Sequence, residues 1–173
     1  MLLYYIYKLI TKLIRPFIAF YILIRISKGK EDRSRIAERY GASDVERKKG
    51  KVIWFHAASI GESLSILPLL NKLNSDKSID QIILTTGTLT SANILKGKLS
   101  KKIIHQYIPF DIPSYVNKFL NHWNPSLAVF VESEIWPNFL TELKKRNINS
   151  LIVNGRMTIK SFKRWTMLSG LSK

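Results

Sequence analysis

Glu62 lies in Ser59-Ile60-Gly61-Glu62, just after the apolar stretch KVIWFH (51–56) and the small residues Ala57 and Ala58. An apolar run that ends in small residues and leads into a helical pattern predicts a strand-to-helix turn. That turn falls at the carboxyl end of a parallel strand, the edge where open α/β sheets hold their ligands. A carboxylate there, beside a glycine that lets a substrate approach the backbone closely, is a candidate general base. The same four residues also fit a capping box, in which Ser59 caps the helix and Glu62 reaches back to a backbone N–H. On the residues alone the capping role is preferred.

A second acidic constellation, Glu132-Ser133-Glu134-Ile135-Trp136-Pro137-Asn138, follows the apolar run Leu127–Val131. In a parallel sheet this loop leaves by the same edge as Gly61 and Glu62, so one loop could supply a base and the other electrostatic help. Glu134 has an alternative role as a helix amino-terminal charge before Pro137, whereas Glu132 has less structural reason to stand at a strand end. Thr85-Thr86-Gly87-Thr88 offers Thr86 and Gly87 for sugar or phosphate oxygens, with turn capping as the alternative. Asn154-Gly155-Arg156 adds a cation suited to phosphate or carboxylate. His56, His105 and His122 show no metal-ligand spacing, and no metal site is predicted. Phosphate-loop, dinucleotide and hydrolase-elbow motifs are absent from the sequence.

The elements that position these residues follow from the hydropathy pattern. Strands are predicted at 52–57, 81–85, 103–108, 127–131 and 150–153. Helices are predicted at 62–73, with Leu64, Leu67, Leu70 and Leu73 near one face, and at 90–99, 114–123 and 136–146. Continuous apolar strands alternating with helices predict a Rossmann-like parallel sheet covered on both faces over residues 51–173. The chain carries 28 Lys and Arg against 12 Asp and Glu, a net charge of +16, and no cysteine. That balance calls for an anionic partner, and the cysteine count excludes disulfide and thiolate chemistry.

Residues 1–27 are almost wholly apolar and aromatic, with Lys8, Lys12 and Arg15 on one helical face. The uninterrupted run Phe17–Ile24 is too short to cross a bilayer of about 30 Å alone. The expected element is a membrane anchor helix lying in the interface, its cations snorkelling to the headgroups. A tilted spanning helix and a helix packed on the domain are the alternatives. Residues 28–50 read as a basic juxtamembrane segment (Lys28, Lys30, Arg33, Arg35, Arg39) followed by a polar linker. The cations place this segment on the cytoplasmic side of an inner membrane.

Taken together, the chain resembles the amino-terminal half of 3-deoxy-D-manno-octulosonic acid (Kdo) transferases of lipopolysaccharide assembly. The resemblance rests on Glu38-Arg39-Tyr40-Gly41 after the basic anchor, on 56–62 and 85–88, on Tyr107-Ile108-Pro109-Phe110-Asp111-Ile112-Pro113, on 132–138 and on Asn154-Gly155-Arg156-Met157. These stretches run in family order across nearly the whole chain. The resemblance implies a GT-B glycosyltransferase, with two Rossmann-like domains and the active site between them. It makes Glu62 the proton acceptor for the attacking sugar hydroxyl and Glu132 a transition-state stabiliser. The implied reaction is inverting and metal-independent and needs no cofactor. Its donor is CMP-Kdo, and its acceptor is the lipid A precursor lipid IVA.

Of the two domains the resemblance implies, only the first is read in this sequence, and a donor-binding second domain is expected to be missing from the chain. The chain is therefore expected to be inactive alone unless a separately encoded carboxy-terminal half completes the cleft. Its expected partners are the lipid A precursor and inner-membrane lipids. A non-catalytic, membrane-anchored module for anionic glycolipid is the alternative function. A nucleic-acid partner is disfavoured, because the basic residues are not interleaved with stacking aromatics.

Overall fold

The computed structural model describes residues 2–132, 136–155 and 159. Five parallel strands, β1 (Val52–His56), β2 (Gln81–Thr86), β3 (Ile103–Tyr107), β4 (Leu127–Val131) and β5 (Asn149–Val153), form one sheet in the order β3-β2-β1-β4-β5. The order reverses between β1 and β4, which pair from Ile53 with Leu127 to His56 with Phe130. Crossover helices α4 (Ile60–Asn74), α5 (Leu89–Leu95), α6 (Pro113–Trp123) and α7 (Pro137–Lys145) connect the strands.

Strand parity sorts the core onto two faces, because successive side chains point to opposite sides of a sheet. Val52, Trp54, Ala128 and Phe130 pack with Phe119, Leu120, Trp123, Phe139 and Leu143 of α6 and α7. Ile53, Phe55, Val129 and Val131 pack with Ile66 and Leu70 of α4 and Leu95 of α5. The Trp54 indole lies about 5 Å from the rings of Phe119, Phe130 and Phe139. The expected α/β sheet with helices on both faces is therefore what forms.

The strands match their expected limits to within a residue, but two helices differ. α5 ends at Leu95 instead of Leu99, before Gly97 at φ +78°, a backbone that ends a helix cheaply only in glycine. In α4 the inward face runs through Glu62, Ser63, Ile66 and Leu70, and Leu64 is exposed.

The amino-terminal segment forms α1 (Leu2–Ile14), a 3-10 turn (Arg15–Phe17) and α2 (Ile18–Ser27). Pro16 divides the two helices, since it has no N–H to donate. Half-buried or buried positions recur at 4, 7, 8, 11, 18, 22, 25 and 26, one face of a helix. On that face the Tyr7 hydroxyl donates to Asp111 Oδ2 at 2.8 Å, Asn138 Nδ2 donates to Thr11 Oγ1 at 3.2 Å, and Ile18 and Ile22 pack against Ile112 and Tyr115. The opposite face leaves Leu9, Leu13, Phe17 and Phe20 in solvent, each more than half exposed. Among the described residues no helix is long and apolar enough to cross a membrane.

The Asp111 carboxylate also accepts from the backbone N–H groups of Asn138 and Phe139, both at 3.0 Å. It thus caps α7, whose own N-cap residue, Trp136, supplies no side-chain bond. Burial pushes the Asp111 carboxyl up from its ordinary range.

Segment 28–50 is more than a basic tether. Lys28, Lys30 and Arg33 are exposed, but Arg35 and Arg39 are folded into the domain around the short helix α3 (Ile36–Arg39). Arg35 grips Glu38 with two bonds of 2.7 and 2.9 Å, and Glu38 accepts from the Tyr107 N–H at 2.6 Å. Gly41, at φ +80°, lets the chain pass directly against the Tyr115 carbonyl, where no Cβ would fit.

His105 on β3 reads out this packing. Arg35 donates to its Nδ1 at 3.0 Å, so the ring proton sits on Nε2, which donates to Thr86 Oγ1 at 2.9 Å. Burial first, then the charges of Arg35 and Arg39, push its pKa down to about 3 from 6.5. As pH falls below 6.5, the unfolded chain takes up a proton that the folded chain refuses, so stability falls toward pH 3. The slope attributable to this residue is at most about 1.4 kcal/mol per pH unit. Asp111 contributes with the opposite sign. His105→Gln is therefore expected to flatten the acid limb of the stability profile, as read by chemical denaturation from pH 7 to pH 4.

Candidate active site

Two loops leave the carboxyl edge of the sheet where its strand order reverses, the position at which open α/β sheets bind ligands. One runs from β1 to α4, whose first turn carries Glu62; the other follows β4 and begins with Glu132.

Glu62 is 9% exposed. Its N–H donates to Ser59 Oγ at 3.3 Å, which is half of the expected capping box. The carboxylate completes the box one residue early, with Oε2 accepting from the Ala58 N–H at 2.8 Å. Oε1 has no hydrogen-bond partner among the described residues. One carboxylate oxygen is thus anchored by the turn, and the other makes no hydrogen bond to a described residue.

Ser59 is exposed and holds the first turn of α4 through its carbonyl, which accepts from the Ser63 N–H at 3.0 Å. Gly61 is exposed, has an ordinary helical backbone, and a Cβ there would meet nothing closer than Ser59 Oγ at 4.0 Å. Nothing in the fold requires a glycine at 61. Gly87 differs: a Cβ there would come within 3.1 Å of the Ala58 carbonyl oxygen and press the two turns apart by a few tenths of an ångström.

Thr86 is fully buried and its hydroxyl is bonded to His105, while Thr85 Oγ1 accepts from Trp54 Nε1 at 2.8 Å. Thr88 caps α5 by accepting from the Ser91 N–H at 3.1 Å. The hydroxyls of this turn are therefore engaged within the fold, and Gly87 is its part nearest the Glu62 turn.

Glu132 is half-buried and sits at φ +61°, a left-handed backbone rarely adopted by a side chain of this kind. Its N–H donates to the Val153 carbonyl at 2.8 Å, which fixes the turn against β5. Strain of roughly 1–2 kcal/mol at a non-glycine residue concentrates at functional turns. Glu134 and Arg156 lie outside the described residues.

A cavity of about 140 Å³ opens between the loops, its walls including Arg39, His56, Ala58, Gly87, Phe110 and Trp136. His56 beneath it is fully buried, with Nδ1 3.0 Å from Thr85 Oγ1. Among the described residues no three His, Cys, Asp or Glu side chains converge to hold a metal ion. Glu31 and Arg39, which line this cavity, and Asp111, which caps α7, were not anticipated. Arg39 and Asp111 both lie in motifs on which the resemblance rests, but by charge alone Arg39 is one cation of a basic run. The partners of Arg39 and Asp111 are largely backbone groups far away in sequence, which leave no local signal.

The family model for 3-deoxy-D-manno-octulosonic-acid transferase (kdotransferase) matches residues 34–173, and the chain belongs to this family. It is 38% identical over 164 residues to the 3-deoxy-D-manno-octulosonic acid transferase of Rickettsia bellii, covering 95% of this chain and 39% of that protein. Identity to a probable mitochondrial 3-deoxy-D-manno-octulosonic acid transferase of Arabidopsis thaliana is 36% over 163 residues, 94% of this chain and 36% of the relative. The Haemophilus influenzae transferase is 34% identical over 152 residues, 87% of this chain and 36% of the relative. The chain thus spans well under half the length of these relatives.

The spare room at Gly61 separates fold from function. Gly61→Ala is expected to match or exceed the parent in stability by up to about 1 kcal/mol, because alanine is the better helix former. Its affinity for a ligand seated on the Glu62 turn is expected to fall; thermal unfolding and ligand titration of the same sample check both.

Proposed function

We propose that this chain is the acceptor-binding, base-carrying part of a Kdo transferase that moves Kdo from CMP-Kdo to the lipid A precursor lipid IVA. The observation that carries this reading is Glu62, in a chain of this family, at the switch point of the sheet. Its Oε2 is pinned by the Ala58 N–H and its Oε1 is uncommitted among the described residues. Oε1 takes the proton of the acceptor sugar hydroxyl as that oxygen attacks the anomeric carbon of Kdo. The bond to the CMP phosphate breaks with its electron pair leaving on CMP, and the anomeric centre inverts. Glu132 lends negative charge to the oxocarbenium-like transition state. No metal takes part in this step. The donor pocket belongs to a carboxy-terminal domain, which completes the GT-B cleft.

The amphipathic α1 and α2 seat the chain on the cytoplasmic face of the inner membrane. Leu9, Leu13, Phe17 and Phe20 enter the interface, and flanking cations meet anionic headgroups. A helix lying in the plane of the interface suits a half-docked segment, because the face packed on the domain cannot also face lipid.

The test supplies CMP-Kdo and lipid IVA to the purified chain in vesicles, with and without a separately expressed carboxy-terminal domain. Transfer is expected only when both parts are present. Glu62→Gln is expected to lower it at least ~100-fold with lipid IVA binding unchanged. Equal transfer by Glu62→Gln and the parent would remove Glu62 as base; binding without transfer under every condition would leave a glycolipid-binding module. Replacing both Phe17 and Phe20 by Glu is expected to weaken partition into anionic vesicles at least ~10-fold, as measured by flotation.

A further inference from the structure

A continuous line of polar contacts runs from α2 to the Glu62 carboxylate. Arg25 Nε is 2.6 Å from Glu31 Oε1, and Glu31 Oε2 is 2.9 Å from Arg39 Nε. One terminal nitrogen of Arg39 donates to the Gly87 carbonyl at 2.9 Å and the other to the Ile108 carbonyl at 3.1 Å. The Gly87 N–H donates to the Ala58 carbonyl at 3.2 Å, and the Ala58 N–H donates to Glu62 Oε2. The guanidinium lies over the Tyr107 ring, 4.7 Å from its centroid, and the Arg39 carbonyl accepts from the Phe110 N–H at 3.2 Å.

The Arg39 and Glu31 side chains are 4% and 1% exposed. Removing two charges from water is costly, and an apolar pair would pack the same space as stably. What an apolar pair lacks is direction. The guanidinium presents planar donors at fixed angles, and here they hold two loop carbonyls and one carboxylate together. Both loops, after β2 and after β3, leave the same sheet edge as the Glu62 turn.

We infer that Arg39 is a positioning residue for Glu62. It fixes the Gly87 turn, which fixes Ala58, which holds Oε2 and so aims Oε1. Through Glu31 and Arg25 the same line ends on α2, so the seating of the amphipathic helix is transmitted to the carboxylate. This inference rests on the reading of Glu62 as the base.

The test is amide hydrogen exchange of the full chain in detergent micelles, resolved by NMR. Arg39→Lys keeps the charge but cannot span three acceptors. The Ala58 amide is expected to exchange at least ~10-fold faster than in the parent, with Trp54 and Ile83 amides in the sheet unchanged. Gly87→Ala presses on the Ala58 carbonyl with the Glu31–Arg39 pair intact and is expected to give the same local acceleration. Glu31→Gln, which keeps the shape but removes the charge, is expected to accelerate Ala58 by ~3-fold or more and decides the matter if Arg39→Lys does not fold. Ala58 exchange at the parent rate in folded Arg39→Lys, or in Glu31→Gln if that variant alone folds, would overturn the inference. So would acceleration spread evenly over Trp54 and Ile83, which marks a merely structural role. Exchange reports geometry without transfer, so this outcome is separate from that of Glu62→Gln in the transfer assay.

Discussion

The pairing of β1 with β4 is the constraint on which the rest of the molecule depends. It sets two strands distant in sequence side by side, with crossovers leaving in opposite directions, so their following loops cannot cover each other. A crevice at that edge is a topological consequence and needs no special residue to open it. The residues then decide what the crevice does. Here each connection brings a carboxylate to that edge, Glu62 in the helix cap of α4 and Glu132 in a left-handed turn directly after β4.

Much of the fold was legible because a sheet covered on both faces demands unbroken apolar strands, and few other structures do. Val52–His56 and Leu127–Val131 could hardly be anything else. The same feature hid the direction of Thr86. In a strand with two buried faces neither parity marks solvent, and its hydroxyl faces His105 rather than the cleft. The face of α4 was read correctly at Leu67, Leu70 and Leu73, which pack on the core, and missed at Leu64. The helix enters through a turn that buries Glu62 and Ser63 instead, and this leaves Leu64 outside.

The capping box at Glu62 was legible from Ser59-Ile60-Gly61-Glu62 alone. The structure shows that it occupies only one carboxylate oxygen, Oε2, so capping and the proposed proton transfer need not compete. Arg39 was not legible. Charge counted along a chain suggests a surface, whereas the acceptors that draw this guanidinium inward are backbone carbonyls supplied by loops 48 and 69 residues away. The excess of positive charge is thus not a uniform coat. Lys28, Lys30 and Arg33 are exposed, whereas Arg39 is buried among loop carbonyls.

The left-handed turn at Glu132 has a consequence for what side chains the position can hold. The backbone there is comfortable for glycine, asparagine and aspartate, and it disfavours longer residues. Aspartate would deliver the same charge on an easier backbone. What glutamate adds is one methylene of reach, so the position spends conformational ease on length. The carboxylate at 132 therefore stands one methylene further from the turn than an aspartate's would.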